Sequence, residues 1–105
     1  MKAEWAYNEE EDILMIFVKG RNSSYSVTSE DDIYAVDLDD KNRICALEVF
    51  DASKVIAGVS KKVLHGIKSA QLQARIKDNY LVTMFSLVST ASEPIQDSIP
   101  IPIAA

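Results

Sequence analysis

The sequence predicts a single α+β domain that is mainly β, with an antiparallel sheet of about six or seven strands, a short helical connection near residues 52–66 and a Pro-rich C-terminal tail. Short apolar runs separated by polar turns predict the strands. Capping residues and glycines that follow Phe50 predict the helical turns. The length of 105 residues is typical of one domain.

The predicted organisation follows changes in residue pattern along the chain. We expect one β-rich domain over residues 1–88 and a Pro/Ile tail over residues 89–105. Inside the domain, the expected parts are a core over 5–54, a helical connection over 55–67 and a C-terminal hairpin over 69–88.

Five strands are predicted in the first half of the chain. Two of them flank a run of four consecutive acids, a third is polar enough for a sheet edge, and the last two form a hairpin around a polar turn. In order they are Ala3–Tyr7, Ile13–Val18, Tyr25–Ser29, Ile33–Leu38 and Ile44–Phe50. The second strand is apolar on both faces, so we expect both of its faces to be covered.

The connection after the fifth strand carries two helix signals. Asp51 or Ser53 can cap a first short helix, because their side-chain oxygens accept hydrogen bonds from free backbone N–H groups. Ser60 can cap a second helix over residues 61–65, which Gly66 would end.

The clearest period-two signal follows at residues 70–77. Four apolar residues alternate there with four polar ones, which predicts a strand. A helix over residues 69–76 is the competing interpretation, because Gln, Ala, Leu and Arg favour helices. Asp78-Asn79 then predicts a tight turn into a last strand, Tyr80–Val88.

The tail is defined by its prolines. Pro94, Pro100 and Pro102 exclude a helix and a central strand. The four isoleucines among them are too apolar for a solvated tail. Docking as a polyproline-like or edge-strand segment therefore stays open beside disorder.

The charge distribution limits the classes of molecule that the protein is expected to bind. The net charge is −5, which argues against binding to nucleic acid and to anionic membrane surfaces. Residues 1–54 hold 13 of the 16 acids and 6 of the 11 bases, so the N-terminal half is strongly acidic. Such a half can complement a basic protein surface.

The cysteine count and the N-terminus indicate a cytoplasmic protein. Cys45 is the one cysteine, so no disulfide can form within the chain. The first residues turn acidic at once and lack the apolar segment of a signal peptide. The longest apolar run, Ile13–Val18, is too short to span a membrane.

Clustered carboxylates are the candidates for a metal site. Glu10, Asp12, Asp31 and Asp32 lie in two acidic runs that could converge on a divalent cation. Carboxylate oxygens are the ligands that hard cations prefer.

A calcium-binding loop is excluded at the predicted hairpin turn. Asp37, Asp39 and Glu48 have the spacing of loop ligands, but Lys41 would place a positive charge against the cation, and Asn42 replaces the glycine that the loop requires. We interpret the segment as a polar turn with Asn42 in the left-handed conformation.

The sequence contains no arrangement that specifies a reaction. Cys45 and His65 could pair only if the fold brought them together with an orienting group, and a mid-strand cysteine is usually inert. Neither a Gly-x-Ser-x-Gly elbow nor a Gly-rich phosphate loop is present. Asp51 and Lys54 are spaced for a local ion pair. We therefore expect no enzyme and no cofactor.

Two segments together resemble a known family. Residues 7–16 are similar to the opening motif of the domain-of-unknown-function family 2283, and residues 36–39 and 43–54 are similar to its second half, which ends in an Asp-Ala-Ser-Lys type motif. The motif residues in this chain are Tyr7, Asp12, Asp37, Asp39, Glu48, Asp51, Ser53 and Lys54. The chain departs from the pattern at Asn8, Met15, Asn42 and Ala46. The resemblance implies a small, β-rich prokaryotic protein without an established activity.

Two functions follow as expectations. The first is a non-enzymatic protein–protein interaction module whose acidic N-terminal half binds a basic partner. The alternative is a small protein that binds a divalent metal or another ligand through its clustered carboxylates. We also expect a homodimer, because strands that are apolar on both faces need a second cover.

Overall fold

The computed structural model describes residues 1–103, which form one eight-stranded antiparallel sheet and two short helices. In chain order the elements are β1 (Lys2–Asn8), β2 (Ile13–Phe17), β3 (Tyr25–Thr28), β4 (Tyr34–Leu38), β5 (Ile44–Val49), α1 (Ala52–Val55), α2 (Lys61–His65), β6 (Ile67–Lys77), β7 (Tyr80–Ser89) and β8 (Ile95–Pro102). The strand order across the sheet is β3-β4-β5-β2-β1-β6-β7-β8. The sheet curls into a nearly closed, barrel-like shape with β3 and β8 at its two edges.

Two expectations about the sheet are wrong. The sheet has eight strands within the described residues rather than six or seven. The expected Pro-rich tail contains strand β8, which pairs with β7 from Ile95 to Pro102. Of the possibilities left open for this segment, the structure adopts the edge strand.

The spacing of the prolines explains why β8 can pair. The N–H of Ile103 donates to the carbonyl of Asn79 at 2.9 Å, so the odd-numbered residues of this segment turn their backbone groups toward β7. Pro100 and Pro102 hold even-numbered positions, whose nitrogens face the free edge. Their missing N–H groups therefore cost β8 no hydrogen bond to β7.

The other predicted elements are confirmed with small changes of boundary. The hairpin of β4 and β5 turns through Asn42, whose φ of 61° is left-handed as predicted. Ser60 caps α2, because its side chain accepts from the N–H of Val63 at 3.3 Å. Residues 67–77 form strand β6 and not the competing helix. The inward alternation of β6 fails at its end, since Ile76 is 48% exposed.

The core lies inside the curled sheet, and the helices add Ala52, Val63 and Leu64 to it. Its largest fully buried side chains include Leu14, Ile16, Leu47, Leu72, Leu87 and Ile101. The two faces of β2 differ in burial: Leu14 and Ile16 on one face are fully buried, whereas Met15 and Phe17 on the other are half-buried. In the part of the chain that the structure describes, no helix has the length and apolar character to cross a membrane.

Candidate functional site

Three of the predicted motif residues, Tyr7, Asp12 and Ser53, come together at the carboxylate of Asp12. Asp12 ends the turn between β1 and β2, and its φ of 56° is left-handed, a conformation that aspartate tolerates better than most residues. Its side chain is buried, and its carbonyl accepts from the N–H of Ala52 at 3.0 Å. The first turn of α1 is therefore attached to the β1–β2 turn through both backbone and side chain.

The carboxylate of Asp12 accepts hydrogen bonds from both halves of the motif. Oδ1 accepts from the hydroxyl of Tyr7 at 2.6 Å, and Oδ2 accepts from the Ser53 hydroxyl at 2.7 Å. The N–H of Ser53 donates to both oxygens, at 3.1 and 3.3 Å. Burial acts to raise the pKa of Asp12, but the donors from Tyr7 and Ser53 outweigh it and hold the pKa below its ordinary value. Asp12 is thus an ionised, internally satisfied group.

Tyr7 is fixed from two sides. Burial raises the pKa of its hydroxyl, and the hydrogen bond to Asp12 raises it further. Its ring meets the ring of His65 edge to face, with centroids 5.3 Å apart. His65 in turn places Nε2 3.4 Å from Oε1 of Glu9. These contacts link β1 to α2. Because the hydroxyls of Tyr7 and Ser53 both donate to Asp12, the cluster stabilises the fold by holding these elements together.

A second motif carboxylate, Asp39, organises the turn between β4 and β5. Oδ1 accepts from the N–H groups of Lys41 and Arg43 at 2.9 and 2.8 Å, and Oδ2 pairs with Nε of Arg43 at 2.7 Å. Burial acts to raise the pKa of Asp39, but these donors lower it below its ordinary value. Asp39 therefore closes a hairpin and is saturated by its own turn.

The remaining motif residues do not join these clusters. Asp37 accepts from the hydroxyl of Ser26, and Glu48 lies opposite Met15 in the sheet register. Asp51 occupies the N-cap position of α1 with a left-handed φ of 53°, but its side chain makes no capping hydrogen bond. The expectation that Asp51 or Ser53 caps through its own side chain is wrong, because the Asp12 carboxylate accepts from the Ser53 N–H instead. The ion pairs found within residues 1–103 do not include the predicted pair of Asp51 and Lys54. Both of these side chains are exposed.

The metal candidates are not assembled into a site. Asp12 is committed to Tyr7 and Ser53, and Asp31 accepts from the Ser29 hydroxyl at 2.6 Å and the Ile33 N–H at 3.1 Å. Those two hydrogen bonds lower the pKa of Asp31. Among the described residues, no group of three or more histidine, cysteine, aspartate or glutamate side chains is placed to hold a metal ion, and this includes Glu10 and Asp32.

Cys45 and His65 occupy different environments. Cys45 is the extra residue of a bulge in β5, where the register passes from Leu38↔Ile44 to Asp37↔Ala46. Burial raises the pKa of its thiol, which disfavours the reactive thiolate. His65 instead contacts Tyr7 and Glu9.

Sequence reasoning missed a groove between the two sheet edges, which we call the seam. The seam is lined by Tyr25 and Val27 of β3, by Ile76 and Leu81 of the β6–β7 hairpin and by Ile103 after β8, and it encloses about 330 Å³. Tyr25 and Ile76, both large side chains, are 43% and 48% exposed at this groove. The available signal was Ile76, the last apolar residue of the β6 alternation, which lies beside the turn at the end of the hairpin.

Together these features define a small, mainly β protein whose motif residues hold the chain together. A family model described as "Protein of unknown function (DUF2283)" matches residues 5–53. The match confirms the resemblance over those residues. Its boundary at Ser53 coincides with the last residue of the Asp12 network. Comparisons with curated proteins and with solved structures give no significant match.

Proposed function

We propose that the protein is a non-enzymatic protein–protein interaction module that binds a basic partner through the acidic segments that contain the strands beside the seam. One observation carries this proposal. Residues 22–40, which include β3 and β4, contain six acids and no lysine, arginine or histidine. Residues 78–103, which include β7 and β8, contain three acids and no base. All eleven lysines and arginines therefore lie outside β3, β4, β7 and β8.

The state of the motif groups supports binding over catalysis. A catalytic acid, base or nucleophile needs a free position from which it can reach a substrate. Asp12 and Asp39 accept hydrogen bonds from their own chain at every carboxylate oxygen, and the hydroxyls of Tyr7 and Ser53 donate to Asp12. We assign these groups to the fold and the exposed acids to recognition.

Complementary charge acts mainly on the rate of encounter. Opposite charges steer two proteins together, and salt screens that attraction over about 8 Å at physiological ionic strength. The proposed complex should therefore form more slowly as salt is added. We also propose a cytoplasmic location, which the single, unpaired Cys45 supports.

A pull-down with charge-matched variants tests the proposal. The tagged protein is incubated with native lysate at low and high salt, and captured proteins are identified by mass spectrometry. Glu30→Lys changes the turn beside β3, while Glu10→Lys makes the same change of net charge in the β1–β2 turn. We expect a basic protein that is released by salt and that Glu30→Lys captures poorly. Capture that ignores salt, or that both variants weaken equally, would contradict binding at this face.

A further inference from the structure

The two edges that border the seam differ in their capacity to accept another strand. On β8, the even-numbered residues face the free edge, and two of these, Pro100 and Pro102, have no N–H to donate. A third, Ser98, donates its N–H to Oδ1 of Asp97 at 2.8 Å. β8 is therefore a protected edge.

The β3 edge, in contrast to the β8 edge, has backbone groups that are free to pair with another strand. The N–H of Ser29 donates to the carbonyl of Tyr34 at 2.9 Å, so the odd-numbered residues of this segment face β4. The backbone groups of Ser26 and Thr28 consequently point toward the seam. Within residues 1–103, β3 pairs with β4 alone. Ser26 and Thr28 both have an N–H group, unlike the prolines of β8, and no side chain among the described residues caps these groups.

The two faces of β3 determine which side chains an added strand would need on each of its own faces. On the inner face, the seam groove offers the apolar surfaces of Val27, Ile76 and Ile103. On the outer face, Ser26 lies beside the Asp37 carboxylate, which it binds. Neighbouring residues of a strand point to opposite faces, so an added strand would present apolar side chains to the groove and cationic ones to Asp37.

Charge around the seam favours a cationic segment over a neutral one. Glu30 lies in the turn that follows β3, and Asp97 is close enough to Tyr34 to help raise the pKa of that tyrosine, after burial. The bases nearest in sequence to the groove are Arg75 and Lys77, which alternate with Ile76 along β6 and so point to its other face.

We propose that the seam is a docking site for an extended segment of a basic partner, in which lysine or arginine alternates with apolar residues. The segment adds to β3 as an antiparallel or parallel strand through the backbone groups of Ser26 and Thr28 and places its apolar side chains in the groove. This inference rests on the proposed interaction function, to which it adds the place and the chemistry of binding.

The test uses a synthetic peptide and the full-length protein. The probe is a short peptide of alternating lysine and valine, with two matched controls: the same peptide with glutamate for lysine, and a backbone N-methylated version whose backbone cannot donate hydrogen bonds. Amide chemical shifts locate the contact, and titration gives the dissociation constant. Ile76→Lys places a charge at the groove, and Val88→Lys makes the same change at another exposed apolar side chain, on β7 outside the seam lining.

We expect the lysine peptide to shift the amides of Tyr25–Thr28 and of Ile103, and both control peptides to bind at least about tenfold more weakly, which corresponds to about 1.4 kcal/mol. Ile76→Lys should weaken binding by a similar factor, whereas Val88→Lys should change it less than about twofold. Binding that shifts other amides, or that Ile76→Lys leaves unchanged, would overturn the proposal. Concentration-dependent shifts at β3 without peptide would also overturn it, because a second copy would then fill the seam. A salt-sensitive partner that still binds the Ile76→Lys variant would reject the seam and retain the interaction function.

Discussion

Asp12 shows how one buried carboxylate can connect distant parts of a short chain. It joins the turn after β1 to the start of α1, 41 residues later in sequence, through the side chain and backbone of Ser53. Hydrogen bonds to a charged group are worth about 1.5–3 kcal/mol, more than bonds between neutral groups. The burial of Asp12 is tolerated because each of its oxygens has donors.

We predict that Asp12→Ala destabilises the protein by about 3 kcal/mol, because the half-buried donors of Tyr7 and Ser53 then lose their acceptor. Asp32→Ala is the matched control, since Asp32 has a left-handed φ of 59° but is exposed. Both variants carry the backbone cost of a left-handed alanine, so their difference reports the carboxylate. Denaturant unfolding measures it, and equal destabilisation of the two variants would refute the role given to the Asp12 network.

The lowered pKa values of Asp12 and Asp39 predict a loss of stability in acid. Each group binds a proton less readily when folded than when unfolded, so each stabilises the fold above its ordinary pKa of 3.8. That stabilisation is lost as the pH falls from about 4 through the lower folded values. Denaturant unfolding at a series of pH values should show this decline, and Asp12→Asn should make it shallower. An unchanged slope in that variant would show that other carboxylates cause the decline.

At the scale of elements, the sequence predicted those whose signal is local. Strict alternation predicted β6 against good helix formers, and Ser60 predicted the start of α2. The sequence left the eighth strand open beside disorder, because its prolines argue against pairing and only the register with β7 shows that Pro100 and Pro102 face the free edge. The partners of Asp12 could not be read from the sequence, since Ser53 meets it through the packing of α1 against the β1–β2 turn.

The protected edge of β8 makes a prediction about association. Replacing Pro100 and Pro102 by threonine restores two N–H groups on that edge, and unprotected edges template pairing between molecules. We expect the double variant to show a larger average mass than the wild type at the same concentration in sedimentation velocity. Pro94→Thr is the control, because Pro94 precedes β8. An average mass equal to that of the wild type would show that these prolines do not guard the edge.

At the scale of the whole molecule, the segment that matches the family model and the rest of the chain share one sheet. β1 is the link, because it pairs with β2 on one side and meets β6 through Lys2↔Gln71 and Ala3↔Ala70 on the other. Residues 5–53 supply β2, β3, β4, β5 and part of β1, and the chain after them supplies β6, β7 and β8. β6, β7 and β8 cover the inner face of the five earlier strands. Within the described residues, no strand of this sheet covers the outer face of those five strands.

That outer face supports the prediction of a homodimer. Met15 and Phe17 of β2 point away from the core, since they alternate with the fully buried Leu14 and Ile16, and both are half-buried. A second copy would remove this apolar surface from water, at about 25 cal/mol per Å². We predict a mass of twice 11.6 kDa by light scattering at micromolar concentration, and a monomer with unchanged circular dichroism for Met15→Lys. Val88→Lys, an equal change on β7, should remain dimeric. A monomeric wild type would refute the dimer, while a dimeric Met15→Lys would move its interface away from β2.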